Sequence, residues 1–227
     1  MKLNMTKLDL HMHSRVSRII GDSIGWISDE ETLLRIRNSG VKIISFTDHD
    51  IFSTSFFLKI NEINKRMNLG LIIYPGFELT VSRKNGKRGH IVFILNNDLK
   101  KEQLKEIEMI LSQIKLSSQY GIRIEKAIEL FKNYDFFIVP HVDKVDSIVY
   151  EDVSKVIDII HYVEADENSR EYIKFCKESH TKPLGIKFSD NHMWNSDVYK
   201  WTGCYIDDYE SFDDLKYRIQ FQKGAKC

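Results

Sequence analysis

Histidines and acids gather in short groups along this chain. They read Asp9-Leu10-His11-Met12-His13, Thr47-Asp48-His49-Asp50, Glu78, His90, Pro140-His141 and Ser189-Asp190-Asn191-His192. Alternate residues of an extended strand point to the same face, so the imidazoles of His11 and His13 can reach one divalent ion together. Asp190 and His192 repeat that spacing. A carboxylate such as Glu78 can bridge two ions ~3.5–4 Å apart. Imidazoles and carboxylates crowded together would strain one another without a cation, and a metal removes that cost. A lone histidine is more often a core or surface group than a ligand. Six of the eight histidines falling at the ends of predicted strands is what makes this collection a candidate site. His161 and His180 are read as ordinary structural residues.

The elements that must position these groups alternate strand and helix. Strands are expected at Lys7–Leu10, Val41–Phe46, Leu71–Tyr74, Phe136–Val139, His161–Glu164, Pro183–Phe188 and Gly203–Ile206. Pro75-Gly76 is read as a stop. Phe77–Ser82 and His90–Leu95 flank Asn85-Gly86 as a hairpin. The S-D-E-E run at 28–31 is a capping box opening a helix that ends near Ser39-Gly40. Further helices are expected at about Thr54–Asn68, Leu99–Ser118, Ile124–Asn133, Val153–Ile160, Arg170–Glu178 and Phe212–Phe221. Strands separated by helices imply a mostly parallel sheet, hence a doubly wound or barrel fold, in which functional groups sit at the C-terminal ends of the strands.

The chain has 227 residues, with Lys plus Arg equal to Asp plus Glu at 33 each. That length fits one domain over residues 1–227, with no internal repeat. A neutral balance gives no long-range pull toward duplex nucleic acid or acidic membrane. Three cysteines without C-x-x-C spacing indicate neither a disulfide framework nor cysteine-ligated zinc, and suit a reducing cytoplasm. No signal peptide or transmembrane run is read from the sequence.

The motifs DLHMHS, SFTDHD, GFEL, the His of GHIVFI, VPHVDK and FSDNH, in this order, resemble the PHP (polymerase and histidinol phosphatase) superfamily over nearly the whole chain. The resemblance implies a distorted (β/α)7 TIM-like barrel of the α/β class, holding two to three divalent ions such as Zn, Mn or Fe. His11, His13, Glu78 and Asp190 would hold one ion. Glu78, His90 and His141 would hold a second, and His49 and His192 a third. Asp9 and Asp48 would orient ligands or cap loops. The short S-D-G that this family carries after its first motif is replaced here by the longer RVSRIIGDSIGW, in which Asp22 is the candidate third-site ligand. Where the family has Pro after the fifth-motif His, Val142 stands here. The tail Lys200–Ile219 resembles that of PHP domains associated with ATPase partners.

The activity this implies is phosphoester hydrolysis by a metal-activated hydroxide at a di- or trinuclear site. Asp190, His192 and Arg15 are the expected catalytic groups, with Arg15 and Arg18 as phosphate clamps. Arg83, Lys84, Lys87 and Arg88 on the hairpin are read as a solvated loop in preference to a clamp. The substrate would be a small phosphomonoester, a nucleotide or a short oligonucleotide. The alternative is a nuclease component, or a non-catalytic metal-stabilised module acting with a partner such as an ATPase. The near-complete ligand set favours the enzyme.

Overall fold

The computed structural model describes residues 5–117, 121–195 and 199–222. Its longest sheet grows from a parallel core. β1 (Met5–Met12), β2 (Val41–Phe46) and β3 (Ile72–Ser82) pair in parallel, with α1 (Asp29–Asn38) and α2 (Thr54–Arg66) as the crossovers. β4 (Arg88–Leu95) returns antiparallel on β3, and β5 (Phe136–Pro140) antiparallel on β4, after α3 (Lys101–Ser117) and α4 (Ile124–Phe131). α5 (Tyr150–Val153) leads to β6 (Tyr162–Glu164), and α6 (Arg170–Ser179) connects β6 to its parallel partner β7 (Leu184–Ile186). β8 (Cys204–Asp207) lies antiparallel on β1. α7 (Phe212–Tyr217) then leads to β9 (Gln220–Phe221), which pairs with β8.

The seven-stranded order is β5-β4-β3-β2-β1-β8-β9, curled into a half-barrel. The β6–β7 pair sits between its two ends. Val142 N–H donates to Glu164 O at 3.1 Å, Asp190 N–H to His11 O at 2.8 Å and His13 N–H to Asn191 O at 3.0 Å. The first ties the end of β5 to that of β6, and the other two tie the end of β1 to the segment after β7, all at one rim. The structure is therefore a mixed α/β fold with a curled half-barrel sheet. Helices do not alternate one-for-one with strands, because β3–β4 is a hairpin and β4–β5 spans two helices.

Strand periodicity explains the layers. On β4, Ile91, Phe93 and Leu95 point outward beneath α3 and α4, in one apolar cluster with Phe77, Leu79 and Phe131. The opposite face carries Val92 and Ile94, which join Phe137, Val139, Leu8, Leu10 and Phe188 inside the curl. That apolar packing is the floor on which the polar rim stands.

Three sequence expectations change. Pro75-Gly76 does not stop a strand: β3 runs through it. Phe46↔Pro75 is the last β2–β3 pair and Gly76↔Ile94 the first β3–β4 pair, so the dipeptide marks a change of partner. Gly76 is required there because a Cβ would collide with Ser45 Oγ and the Phe93 carbonyl. The helix expected over Val153–Ile160 is only α5 and a 3-10 turn at Ile157–Ile159, in a segment rich in β-branched residues. The last helix stops at Tyr217, and Gln220–Phe221 turns into β9 instead. A 3-10 turn at Arg15–Ile20, capped by Ser14, was not anticipated. Ser118, the expected end of α3, lies outside the described residues.

Candidate metal centre

The histidine and carboxylate groups converge at the rim. His11 and His13 leave the end of β1, where its register with β2 shifts between Asp9 and Met12. Glu78 lies inside β3 beyond its β2 pairing, His90 on β4, and His141 directly after β5. Asp190 and His192 follow β7. Asp190 adopts a left-handed backbone, φ 49°, as does Asp50. Non-glycine residues take this conformation at a cost, and the surrounding structure must hold them there. Asp50 earns its place by accepting from Thr80 N–H and Thr80 Oγ1, both at 2.6 Å, which locks the strand just past Glu78.

Four donor atoms form a cage. His11 Nε2 is 3.1 Å from Glu78 Oε2 and 3.4 Å from Asp190 Oδ1. His13 Nε2 is 3.3 Å from Glu78 Oε2, 3.1 Å from Asp190 Oδ1 and 3.2 Å from His11 Nε2. Four ligands about 2.0 Å from one ion at tetrahedral angles stand about 3.3 Å apart. Five of the cage's six edges therefore match a four-coordinate divalent site.

Proton bookkeeping supports the fit. His11 Nδ1 lies 2.7 Å from Glu164 Oε2 and donates to it. The neutral ring then presents only a lone pair at Nε2, facing two carboxylate oxygens and another imidazole nitrogen. Three of the four cage atoms are then acceptors, and a single proton on His13 Nε2, whose Nδ1 has no hydrogen-bond partner, is all that neutral rings can offer them. A cation resolves that conflict. In its absence, burial opposes protonation of His11, but Glu164, Glu78 and Asp190 overcome it and raise its pKa to about 10. Glu78 and Glu164, despite burial that pushes the other way, are held well below the usual carboxylate range by His11. Removing a carboxylate from water costs several kcal/mol. Glu78 and Glu164 are almost fully buried and Asp190 two-thirds covered, while Lys144, which touches Glu164 and Asp190, offsets a single charge. The donor set fits divalent ions.

Three further groups of candidate ligands adjoin the cage: His49, Glu78 and His90; His11, His141 and Glu164; and His13, Asp22, His49 and His192. Glu78 Oε1 is 2.9 Å from His90 Nδ1 and 3.5 Å from His141 Nδ1. Its Oε2 is also 3.0 Å from His49 Nδ1, so Glu78 reaches toward both sides of the cluster. On the other flank, one ligand atom each of His13, Asp22, His49 and His192 lie within 4.8 Å of one another. His192 Nδ1 is 2.9 Å from the Asp190 carbonyl, which leaves Nε2 with the lone pair. Asp22 Oδ2 is buried without a hydrogen-bond partner, 4.0 Å from His49 Nε2. The replaced loop thus delivers an acid to the third group. Burial and His13 lower the His192 pKa, keeping that ring neutral.

The remaining sequence candidates fall outside the cluster or behind it. Arg15, expected beside phosphate, is held by Asp29, with Nε 3.0 Å from Oδ1, and lies over the Phe56 ring. Arg18 donates to the Ile24 carbonyl at 2.6 Å. Arg83 pairs with Asp152 at 2.8 Å. Asp48 accepts from Ser14 N–H at 2.6 Å and from the Ser14 and Ser17 hydroxyls, both at 2.7 Å, bracing the loop after His13. Asp9 accepts from Ser189 N–H at 3.1 Å and from the Tyr199 hydroxyl, bracing the loop that carries Asp190. His161 packs on Tyr217, and His180 is the left-handed cap of α6.

Two members escaped the sequence reading. Glu164, at the end of β6, touches His11 and lies 3.2 Å from His141 Nε2. The rule applied to the other strand ends would have found it. Lys144, three residues after His141, reaches Glu164 Oε1 at 2.5 Å and Asp190 Oδ2 at 3.0 Å.

No family model and no curated protein match the sequence. Solved structures do match its fold. A crystal structure from Bifidobacterium adolescentis, whose protein is assigned as a metal-dependent phosphoesterase, superposes with a TM-score of 0.54 at 12% identity, covering 86% of this chain and 90% of that one. An amidohydrolase from Chromobacterium violaceum, solved with bound sulfate and no metal, gives 0.53 at 14% identity, covering 82% and 88%. The chain shares the fold of these proteins. Among its described residues no helix is long and apolar enough to cross a membrane.

Proposed function

We propose that this protein is a metal-dependent phosphoester hydrolase of the PHP type, with the rim cluster as its catalytic centre. The observation that carries the reading is the cage of His11, His13, Glu78 and Asp190, whose donor separations of 3.1–3.4 Å match a four-coordinate divalent ion. His90 and His141 extend it through Glu78 toward a second ion, and Asp22, His49 and His192 toward a third. Bound divalent ions supply positive charge to phosphoryl oxygens and make water acidic enough to act as a nucleophile near neutral pH.

The protein's own groups prepare that chemistry. Glu164 holds the His11 ring and fixes its tautomer. The Asp190 carbonyl does the same for His192. Asp190 and His192 are about one-third exposed while His11, His13 and Glu78 are buried, so the substrate approaches from the Asp190–His192 side. Small phosphomonoesters, nucleotides and short oligonucleotides are the substrate classes that suit a neutral chain, since they need only local contacts. The likeness to a protein assigned as a metal-dependent phosphoesterase agrees with this reading.

The deciding experiment replaces His11 and His13 together by Ala and assays a panel of phosphomonoesters, mononucleotides and labelled oligonucleotides in excess Mn²⁺. Turnover by the parent and its loss in the folded variant are expected. Equal turnover by both would place the chemistry elsewhere, and no turnover by a metal-loaded parent would favour a non-catalytic module.

A further inference from the structure

Among the described residues, Lys144 is the lysine that reaches both Glu164 and Asp190. Its Nζ lies 3.0 Å from Asp190 Oδ2 and 2.5 Å from Glu164 Oε1. Each of those carboxylates uses its other oxygen on a histidine. Asp190 Oδ1 stands 3.1 Å from His13 Nε2 in the cage, and Glu164 Oε2 receives His11 Nδ1–H at 2.7 Å. One ammonium thus takes the outer oxygen of both.

The loop that carries Lys144 is tied down beside the cluster. Val142 N–H donates to Glu164 O at 3.1 Å, Ile148 N–H to His141 O at 2.6 Å, and His90 N–H to Asp146 O at 3.1 Å. Ser147 Oγ closes the loop by donating to the Lys144 carbonyl. The anchors are the backbones of three residues of the cluster, so the ammonium is placed by the same strand ends as the groups it serves. About three-quarters of its side chain is covered.

We propose that Lys144 is a positioning residue. It divides the two oxygens of Asp190 between cage and loop, and holds Glu164 in the orientation that receives His11. The proposal rests on the reading of the cluster as a metal centre. Two effects oppose each other. A positive charge near a cation site repels the cation, and its removal would tighten binding. Against that, losing it frees Asp190 to rotate out of the cage and strands a buried oxygen of Glu164. Partners that orient ligands typically change metal affinity about 10–100-fold. Both carboxylates bind Lys144 through the oxygen they turn away from the histidines, so orientation outweighs repulsion.

The test titrates the metal-free full-length protein with Mn²⁺ by calorimetry, no substrate present, with far-UV circular dichroism as the control for folding. Lys144→Met is expected to weaken Mn²⁺ binding about 10–100-fold. Lys144→Arg, which keeps the charge and can still bind two carboxylates, is expected to stay within about threefold of the parent. Should the methionine variant fail to fold, Lys144→Gln carries the test, with about tenfold weaker binding expected. Unchanged or tighter Mn²⁺ binding in a folded Met or Gln variant would overturn the proposal. Because affinity is read without substrate, a chain that binds ions normally yet hydrolyses no phosphoester would defeat the proposed function and leave this inference standing.

Discussion

His11 and Glu164 are 153 positions apart in the chain and meet with Nδ1 2.7 Å from Oε2, both side chains almost wholly buried. The carboxylate decides which nitrogen of the ring carries the proton. It therefore decides that Nε2 offers its lone pair to the cage.

Replacing Glu164 by Gln keeps an acceptor for His11 but removes the charge. Metal affinity at the cage is expected to fall about 10–100-fold, and Glu164→Ala to fall further. Calorimetric titration with Mn²⁺ checks this. Equal affinity in a folded Glu164→Ala protein would show that His11 needs no such partner.

The third group makes a separate prediction. Asp22 belongs to a loop of its own and shares only His13 with the cage, so Asp22→Asn is expected to lose one bound ion and keep the others. Elemental analysis after dialysis measures the stoichiometry. An unaltered ion count would remove Asp22 from the ligand set.

Metal removal should destabilise the fold, because the buried carboxylates of Glu78 and Glu164, which stand at the two nitrogens of the His11 ring, then lean on its protonation for counter-charge. An ion present at about 100 times its dissociation constant adds about 2.7 kcal/mol of stability. Thermal unfolding with EDTA and with Mn²⁺ is expected to show a higher midpoint with the metal. The His11→Ala, His13→Ala double variant should lose most of that difference.

Asp29 supplies a pH signature away from the metals. Burial pushes its pKa up, yet hydrogen bonds and charge from Arg15 and Lys59 hold it below the usual aspartate value. A carboxyl whose folded pKa is depressed stabilises the protein above the unfolded value of ~3.9, and that stability is lost as pH falls through the folded value. Arg15 and Lys59 are largely exposed, so the contribution is discounted to about 1 kcal/mol. Asp29→Asn should therefore cost about that much at pH 7 and less at pH 2. Urea unfolding of both proteins at the two pH values measures it. An equal cost at both would mean the pairing is not what stabilises α1.

Much of the centre was legible because strand geometry leaves a plain record. His11-x-His13 and Asp190-x-His192 repeat with the period of the pleat, and His141 closes an apolar run. Glu164 also closes one, but a single acid at a strand end resembles any surface glutamate. Lys144 was invisible for a different reason: a lysine at a metal centre acts only through carboxylates, and which carboxylates lie near it is a property of the closed sheet. Arg15 lies two residues from His13, and that nearness in sequence is the ground for expecting it beside phosphate. The 3-10 turn after Ser14 instead delivers its side chain to Asp29. At Pro75-Gly76, breaker residues turned out to mark where one partner strand hands over to another. Composition cannot tell that from an ending.

The cage joins His13 to Asp190 across 177 positions. A ribosome must therefore release everything from His11 to Asp190 before all four donors can coexist. Until then each imidazole emerges with no companion from the far end, and nascent polypeptide has little means of sequestering cations firmly. Long-range closure of this sort is paid late in folding. Ion retention consequently reports completed assembly: a truncated or misassembled chain is expected to come off a desalting column empty.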